Sequence, residues 1–522
     1  MNAFARRVLG LATCLVLVAG CSCRTPDRTP SPTPDAPTPA SGAGPVELKP
    51  TERTLSLKKR PTFADPSAPT EAEMDALAQW LIPQVEEAGG AQFSKPLKGR
   101  LGTTENLAKE IASESREIMG RIYDLPPSVI ESMSDERAGV IPGLLGKYMT
   151  STGDVYVVPH SVAQMGEGLA AAMPEHKDNA TLEVATLIMA HELGHALQDQ
   201  VADLDGTFEG LKDLDHFDGM RGITEGQANW ITLRVAKAID REDVFWHISK
   251  GQGWGKEGLE NPGAFDIWML YGQGMAFCDH HAKTGGTEQL WQMVKHPPRS
   301  TTQLFRPERY SPTGSQPFDL AGVLGGVEIA LTRSEDWVVA DTNLGEAPLR
   351  RETLGLDKDR VDAVLDAMKW GHERRMYIGR SPTTSPRNAS ALVIEFDDKE
   401  QAVALVELLS DGLKTQADAR TALEKSMSES IPGVLARRWE VEARPYDRVS
   451  GDAVLRRVVG PVTETGARLA VEEEQSLWVV RDRRLVVLTV SGFRPGNRLD
   501  KAVDLLFLQL DASDQKTPTP AP

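Results

Sequence analysis

The sequence predicts an α+β protein with a helix-rich first region carrying a small sheet, followed by a mixed α+β region. Three observations predict it. Apolar residues recur at helical spacing over 181–200 and about 222–239. Short alternating or apolar runs at 390–396, 477–481 and 485–491 read as strands in the second half. Proline-rich stretches bound the whole, because such segments cannot bury enough apolar surface to order themselves.

Taken in order, Arg6 and Arg7 precede the apolar run Val8–Leu17 and then Val18-Ala19-Gly20-Cys21. A charged start, a short apolar core and small residues before a break make a secretory signal over 1–20, too short for a membrane span. Val18–Cys21 matches the bacterial lipobox, so Cys21 is expected to be the lipidated first residue of the mature chain. Residues 21–70, rich in Pro, Thr and Ser, are expected to form an extended tether. The chain is then anchored to a membrane by lipid and faces the periplasm or cell exterior.

The first folded region is expected over 71–310. Helices are expected at 71–88 and 103–123, then a hairpin: Lys147–Thr150, a turn at Gly153-Asp154, and Val155–Val158. Helices follow at 181–200, 222–239, 265–283 and 288–294. The second region, 311–510, adds helices at 399–409 and 498–510, and 511–522 reads as a disordered tail. Of four cysteines only Cys278 lies in the folded body, so no disulfide framework is expected. The net charge of −17, with no basic stripe to offset it, excludes nucleic acid as the main partner.

The chemistry sits at His191-Glu192-Leu193-Gly194-His195. On a helix, positions i and i+4 share a face one turn apart, so both imidazoles reach one metal ion. Imidazole nitrogen suits zinc, and a catalytic zinc needs a third protein ligand plus water. Glu192 then stands beside that water as general base. The apolar turns before the motif (Leu182, Leu187, Ile188, Met189) place it on a buried helix. Glu225 is the expected third ligand. It opens a helical segment, with Gly226 and Ala228 small enough for close helix approach, and Asn229 is placed one turn on to hydrogen-bond a ligand imidazole. His216, Asp215 and Asp218 compete for the same role. Asp199 either orients a ligand or sits in solvent, and His280 and His281 read as solvated or helix-terminal.

These motifs resemble the gluzincins, the thermolysin-like zinc metallopeptidases whose third ligand is a glutamate on a second helix. They resemble more closely a group of poorly characterised exported bacterial metallopeptidase-like proteins. Their HEL-x-HALQDQ helix is matched by His191–Gln200, and their EG-x-A helix at Glu225. Tyr271, Gly274 and Phe277 match Y-x-x-G-x-x-F. Pro297–Gln303 and Pro307–Tyr310 match a PP-x-ST-x-Q…PE-x-Y segment, with Arg306 where a histidine is common. The likeness is strong from Tyr148 to Tyr310 and weaker through Leu344-Gly345-Glu346, Trp370-Gly371 and Ala391–Leu409.

The resemblance implies a zincin-like catalytic domain whose edge strand, Val155–Val158, pairs with an extended peptide. It also implies a tyrosine or histidine that stabilises the oxyanion. Tyr271 is the first choice, with simple aromatic packing as the other reading of that residue. The expectation is an exported zinc metalloendopeptidase acting on peptide or protein substrates. A silent zinc-binding scaffold lipoprotein, or a zinc hydrolase acting on cell-wall amide bonds, remains open.

Overall fold

The computed structural model describes residues 59–66, 68–122, 144–211, 213–251, 262–311, 337–378, 388–430, 438–462, 474–491 and 498–514, with isolated positions between 127 and 134. The secretory signal, Cys21, most of the tether and the end of the chain after Asp514 lie outside the described residues.

The folded body begins earlier than residue 71. The Arg60 guanidinium meets the buried Glu183 carboxylate at 2.9 and 3.0 Å and the Thr186 hydroxyl at 2.6 Å, and Phe63 joins the core. A buried carboxylate needs such a partner, and that need holds the last tether residues in place. Helix α1 (Glu71–Gly89) follows, started by a reciprocal cap between Thr70 and Glu73.

Strand β1 (Gly99–Leu101), helix α2 (Thr104–Ile122), strand β2 (Gly146–Met149) and strand β3 (Asp154–Val157) come next. The hairpin forms as expected, with Gly153 at φ 73° in its turn and Tyr148 opposite Val155. The sheet order, however, is β1-β3-β2, with β1 parallel to β3. Val155–Val157 is therefore the central strand, not the edge. A three-residue strand, too short to read from the sequence, covers its outer side.

Two helices fill the centre of this region. After α3 (Pro159–Ala172) comes α4 (Ala180–Ala202), in which every residue from Leu182 to Gln198 is buried. A helix buried on every face belongs inside a bundle. It ends at Asp203 in the left-handed conformation, and α5 (Leu204–Glu209) follows. Then α6 (Leu214–Ala238) runs buried from end to end as far as Thr232. It starts eight residues before the expected 222, because Asp213 caps it by accepting from the His216 N–H at 3.0 Å. The polar residues of its first turns concealed this start.

Helix α7 (Glu242–Gly251) and α8 (Pro262–Ile267) lead into a π-helical turn, Trp268–Gln273. Helix α9 (Gly274–Lys295) follows, broken at Gly286 with φ 67°, so two helical pieces stand where two were expected. Helix α10 (Thr301–Phe305) closes the region.

The second region is a seven-stranded antiparallel sheet between helices. Its strands are β4 (Trp337–Asn343), β5 (Met368–Ile378), β6 (Asn388–Phe396), β7 (Arg438–Pro445), β8 (Ala453–Val462), β9 (Glu474–Arg481) and β10 (Arg484–Ser491), in the order β4-β5-β6-β10-β9-β8-β7. Helices α11 (Glu346–Glu352), α12 (Lys358–Asp366) and α13 (Lys399–Ser430) pack on one face, with Leu405, Leu408 and Leu409 against Phe396, Trp478 and Leu485. Helix α14 (Arg498–Asp514) covers the other face through Leu499, Val503 and Leu506. It runs through Asp514, so the stretch expected to be a disordered tail is helical at its start. Among the described residues no helix is long and apolar enough to cross a membrane.

Candidate metal centre

Small residues bring the site together. Gly194 on α4 lies against Ala228 on α6, the Ala228 Cα standing 3.2 Å from where a Gly194 Cβ would be. Gly226 on α6 meets Gly274 at the head of α9 so closely that a Cβ on either would strike the other helix's backbone. Larger residues at these crossings would hold the helices apart.

Glu225 is thereby brought to the two histidines. Its Oε2 lies 3.3 Å from His191 Nε2 and 3.3 Å from His195 Nε2, and the two imidazole Nε2 atoms are 3.1 Å apart. All three side chains are buried. His216, Asp215 and Asp218 do not join them. They occupy the first turns of α6, so His216 stands about 13 Å along the axis from Glu225. Asp215 instead accepts from the Thr301 hydroxyl at 2.6 Å and the Thr301 N–H at 3.2 Å.

The donor set fits a zinc ion. With zinc–nitrogen and zinc–oxygen bonds of about 2.0–2.1 Å, a tetrahedral site has donor–donor edges of roughly 3.3–3.4 Å. The observed triangle of 3.1, 3.3 and 3.3 Å is close to one face of that tetrahedron. Two nitrogens and one carboxylate oxygen are also donors that zinc accepts. A second grouping, Glu175, His176 and Asp243, is partly exposed, and the His176–Asp243 ion pair at 2.8 Å accounts for it.

Burial opposes the charge on Glu225, but the His195 and His191 imidazoles outweigh it and hold its carboxyl far below the usual range. Burial likewise opposes the His195 imidazolium, and Glu225 outweighs it in the other direction. For Glu192 burial dominates and lifts the carboxyl, against the pull of the two histidines. Its Oε2 accepts from the Tyr148 backbone N–H on β2 at 2.7 Å. The Tyr148 phenol in turn donates to Asp199 Oδ2 at 2.8 Å. Asp199 thus does not face only solvent; it pins the strand that holds Glu192.

Tyr271 sits in the π-turn, fully buried, with its ring centroid 5.9 Å from that of His191. Burial, then the Glu225 and Glu192 charges, push its phenol well above the ordinary range, and the phenol lies within hydrogen-bonding reach of Glu225. Inserted turns of this kind recur at functional sites because they re-aim one side chain.

Sequence reasoning missed Gln198. Its Oε1 lies 2.9 Å from His195 Nδ1, and its Nε2 donates to the Thr224 carbonyl at 2.7 Å and to Gln227 Oε1 at 3.1 Å. The expected partner of an imidazole, Asn229, instead reaches the Tyr271 carbonyl at 3.5 Å. A polar residue three positions after His195, directly following Ala196 and Leu197, was the available signal.

His281 is buried, not solvated: its ring packs on Phe277 and Tyr310, and burial followed by the neighbouring His280 lowers it to about 4. Other motif residues serve packing. The Tyr310 phenol donates to the His296 carbonyl at 2.6 Å, and Gln303 accepts from the Arg299 N–H at 2.8 Å. Arg306 reaches Glu346 at 3.0 Å, joining the two regions.

No family profile matches the chain, and no curated protein matches it. A search of solved structures finds the extracellular domain of PknH from Mycobacterium tuberculosis, at 13% identity over 39% of this chain and 100% of that one. The TM-score is 0.24, too low to inform the fold.

Proposed function

We propose that this protein is an exported, lipid-anchored zinc metallopeptidase with the gluzincin arrangement of ligands. His191, His195 and Glu225 would hold the ion. The observation that carries the reading is their buried triangle of donor atoms with Glu192 on the same helix. A zinc ion there supplies a Lewis acid that lowers the pKa of water and polarises the scissile carbonyl.

The chain's own residues do the rest. Glu192, held by the Tyr148 N–H, takes the proton of the attacking water and passes it to the leaving amine. Tyr271 donates a hydrogen bond to the developing oxyanion. Tyr148 gives its N–H to Glu192 and not to β3, so its backbone faces away from the sheet. The second region packs against the start of α6 through Asn343 and Asp213 and is assigned no chemistry.

Incubation of the purified protein with a mixed peptide library tests the reading. Cleavage that a chelator stops and zinc restores is expected; cleavage indifferent to the chelator would overturn it. Loss of zinc in Glu225→Ala, with retention in His216→Ala, is the expected ligand result. For the anchor, Cys21→Ser is expected to move the protein from the membrane to the soluble fraction on cell fractionation.

A further inference from the structure

We propose that Gln198 is a positioning residue of this centre: it fixes His195 with the proton on Nδ1 and Nε2 left for the ion. The inference rests on the metal reading and goes one step further into it. The Thr224 backbone carbonyl can only accept a hydrogen bond. The Gln198 atom 2.7 Å from that carbonyl must therefore be the amide nitrogen. Its second proton goes to Gln227 Oε1 at 3.1 Å. The oxygen is then the atom that faces His195 Nδ1 at 2.9 Å. An amide oxygen only accepts, so Nδ1 must carry the proton.

One buried amide thus sets both the tautomer and the plane of a ligand imidazole. It is fully buried, so no water substitutes for any of its three contacts. The same amide ties α4 to α6 at Thr224, the residue before Glu225. Groups that hold a ligand imidazole through its second nitrogen commonly change metal affinity 10–100-fold when removed.

Two substitutions separate orientation from cross-linking. Gln198→Leu removes the acceptor for His195 and the donor for Thr224. Gln198→Glu keeps an acceptor for His195 but replaces the amide that served Thr224 and Gln227. Zinc affinity is measured by chelator competition in each. The expected result is an affinity about 10–100-fold weaker for Gln198→Leu and within about threefold of wild type for Gln198→Glu. Equal losses in the two variants would reduce Gln198 to a structural cross-link and overturn the proposal, as would no loss in either.

A measurement on the wild type needs no variant to fold. Long-range ¹H–¹⁵N spectra of the zinc-loaded protein are expected to show the His195 proton on Nδ1, and a proton on Nε2 would overturn the assignment. Failure of the wild type to bind zinc would instead overturn the metal reading beneath it.

Discussion

Tyr271 is placed by its π-turn so that one phenol meets both the Glu225 carboxylate and the ring of His191. Tyr271→Phe keeps the packing and removes the hydroxyl. Zinc affinity is expected to stay within about tenfold and peptide cleavage to fall on the order of 10²-fold, as for loss of one oxyanion donor. Cleavage unchanged by the substitution would reduce Tyr271 to a packed aromatic.

Asp215 offers a pH test at the same scale. Burial, then the charge of Asp213, raises its carboxyl to about 7 from an ordinary 3.8. The charged residues Asp218, Arg351, Glu352, Glu373 and Arg375 line the same cavity as Asp215. An acid whose pKa is raised on folding stabilises the fold fully below its unfolded value, and loses that contribution as pH rises through the folded one. Asp215→Asn cannot ionise, and denaturant unfolding should show wild type losing on the order of 4 kcal/mol relative to it between pH 4 and 8. Parallel stability curves would contradict this. The metal-ligand candidates were legible in the sequence because spacing on a helix is enough to pair His191 with His195. Gln198 and Tyr148 were not, because their roles depend on what another element brings to them.

Among elements, the crossing of α6 and α9 decides whether Glu225 can reach the histidines. Gly226 and Gly274 touch backbone to backbone, where neither helix can yield without moving the site. Gly226→Ala is expected to lower stability by about 1–3 kcal/mol through overpacking and to weaken zinc binding at least tenfold. Thermal unfolding and chelator competition check the two together. Full zinc affinity in that variant would show that the crossing does not position the ligand.

The legibility of elements followed their patterning. The buried helix α4 was found to within two residues at each end, because apolar spacing and its flanking polar residues agree. The first turns of α6 were missed, since Asp215, His216, Asp218 and Arg221 read as surface yet lie buried. Strands β4, β5, β7 and β8 were missed because charges interrupt them. Arg374 on β5, for example, pairs with Asp341 on β4 at 2.6 and 2.7 Å, so a charged residue sits buried in the sheet.

For the whole molecule, the two regions meet around α10 and α11. Glu346, fully buried, accepts from Arg306 at 3.0 Å and Arg350 at 2.7 Å, and Arg351 pairs with Asp266. The weak Leu344-Gly345-Glu346 motif thus has a physical reason: Gly345 lies against the Asp215 carboxylate, and Glu346 holds two arginines. Glu346→Ala would leave those arginines facing a buried gap. Stability is expected to fall by about 3–5 kcal/mol, with hydrogen exchange rising at 344–378. Exchange unchanged there would mean that the two regions do not depend on this junction. The α+β division was legible from composition and periodicity, whereas the contact between the regions was not, since it joins residues forty or more positions apart.

That Glu192 is the general base is tested by bound zinc and cleavage of a mixed peptide library, compared for wild type and Glu192→Gln. One zinc per chain is expected in both proteins, with cleavage by wild type and a loss on the order of 10²–10⁴-fold in the variant. Zinc held by both with cleavage by neither, or with equal cleavage by both, would contradict it.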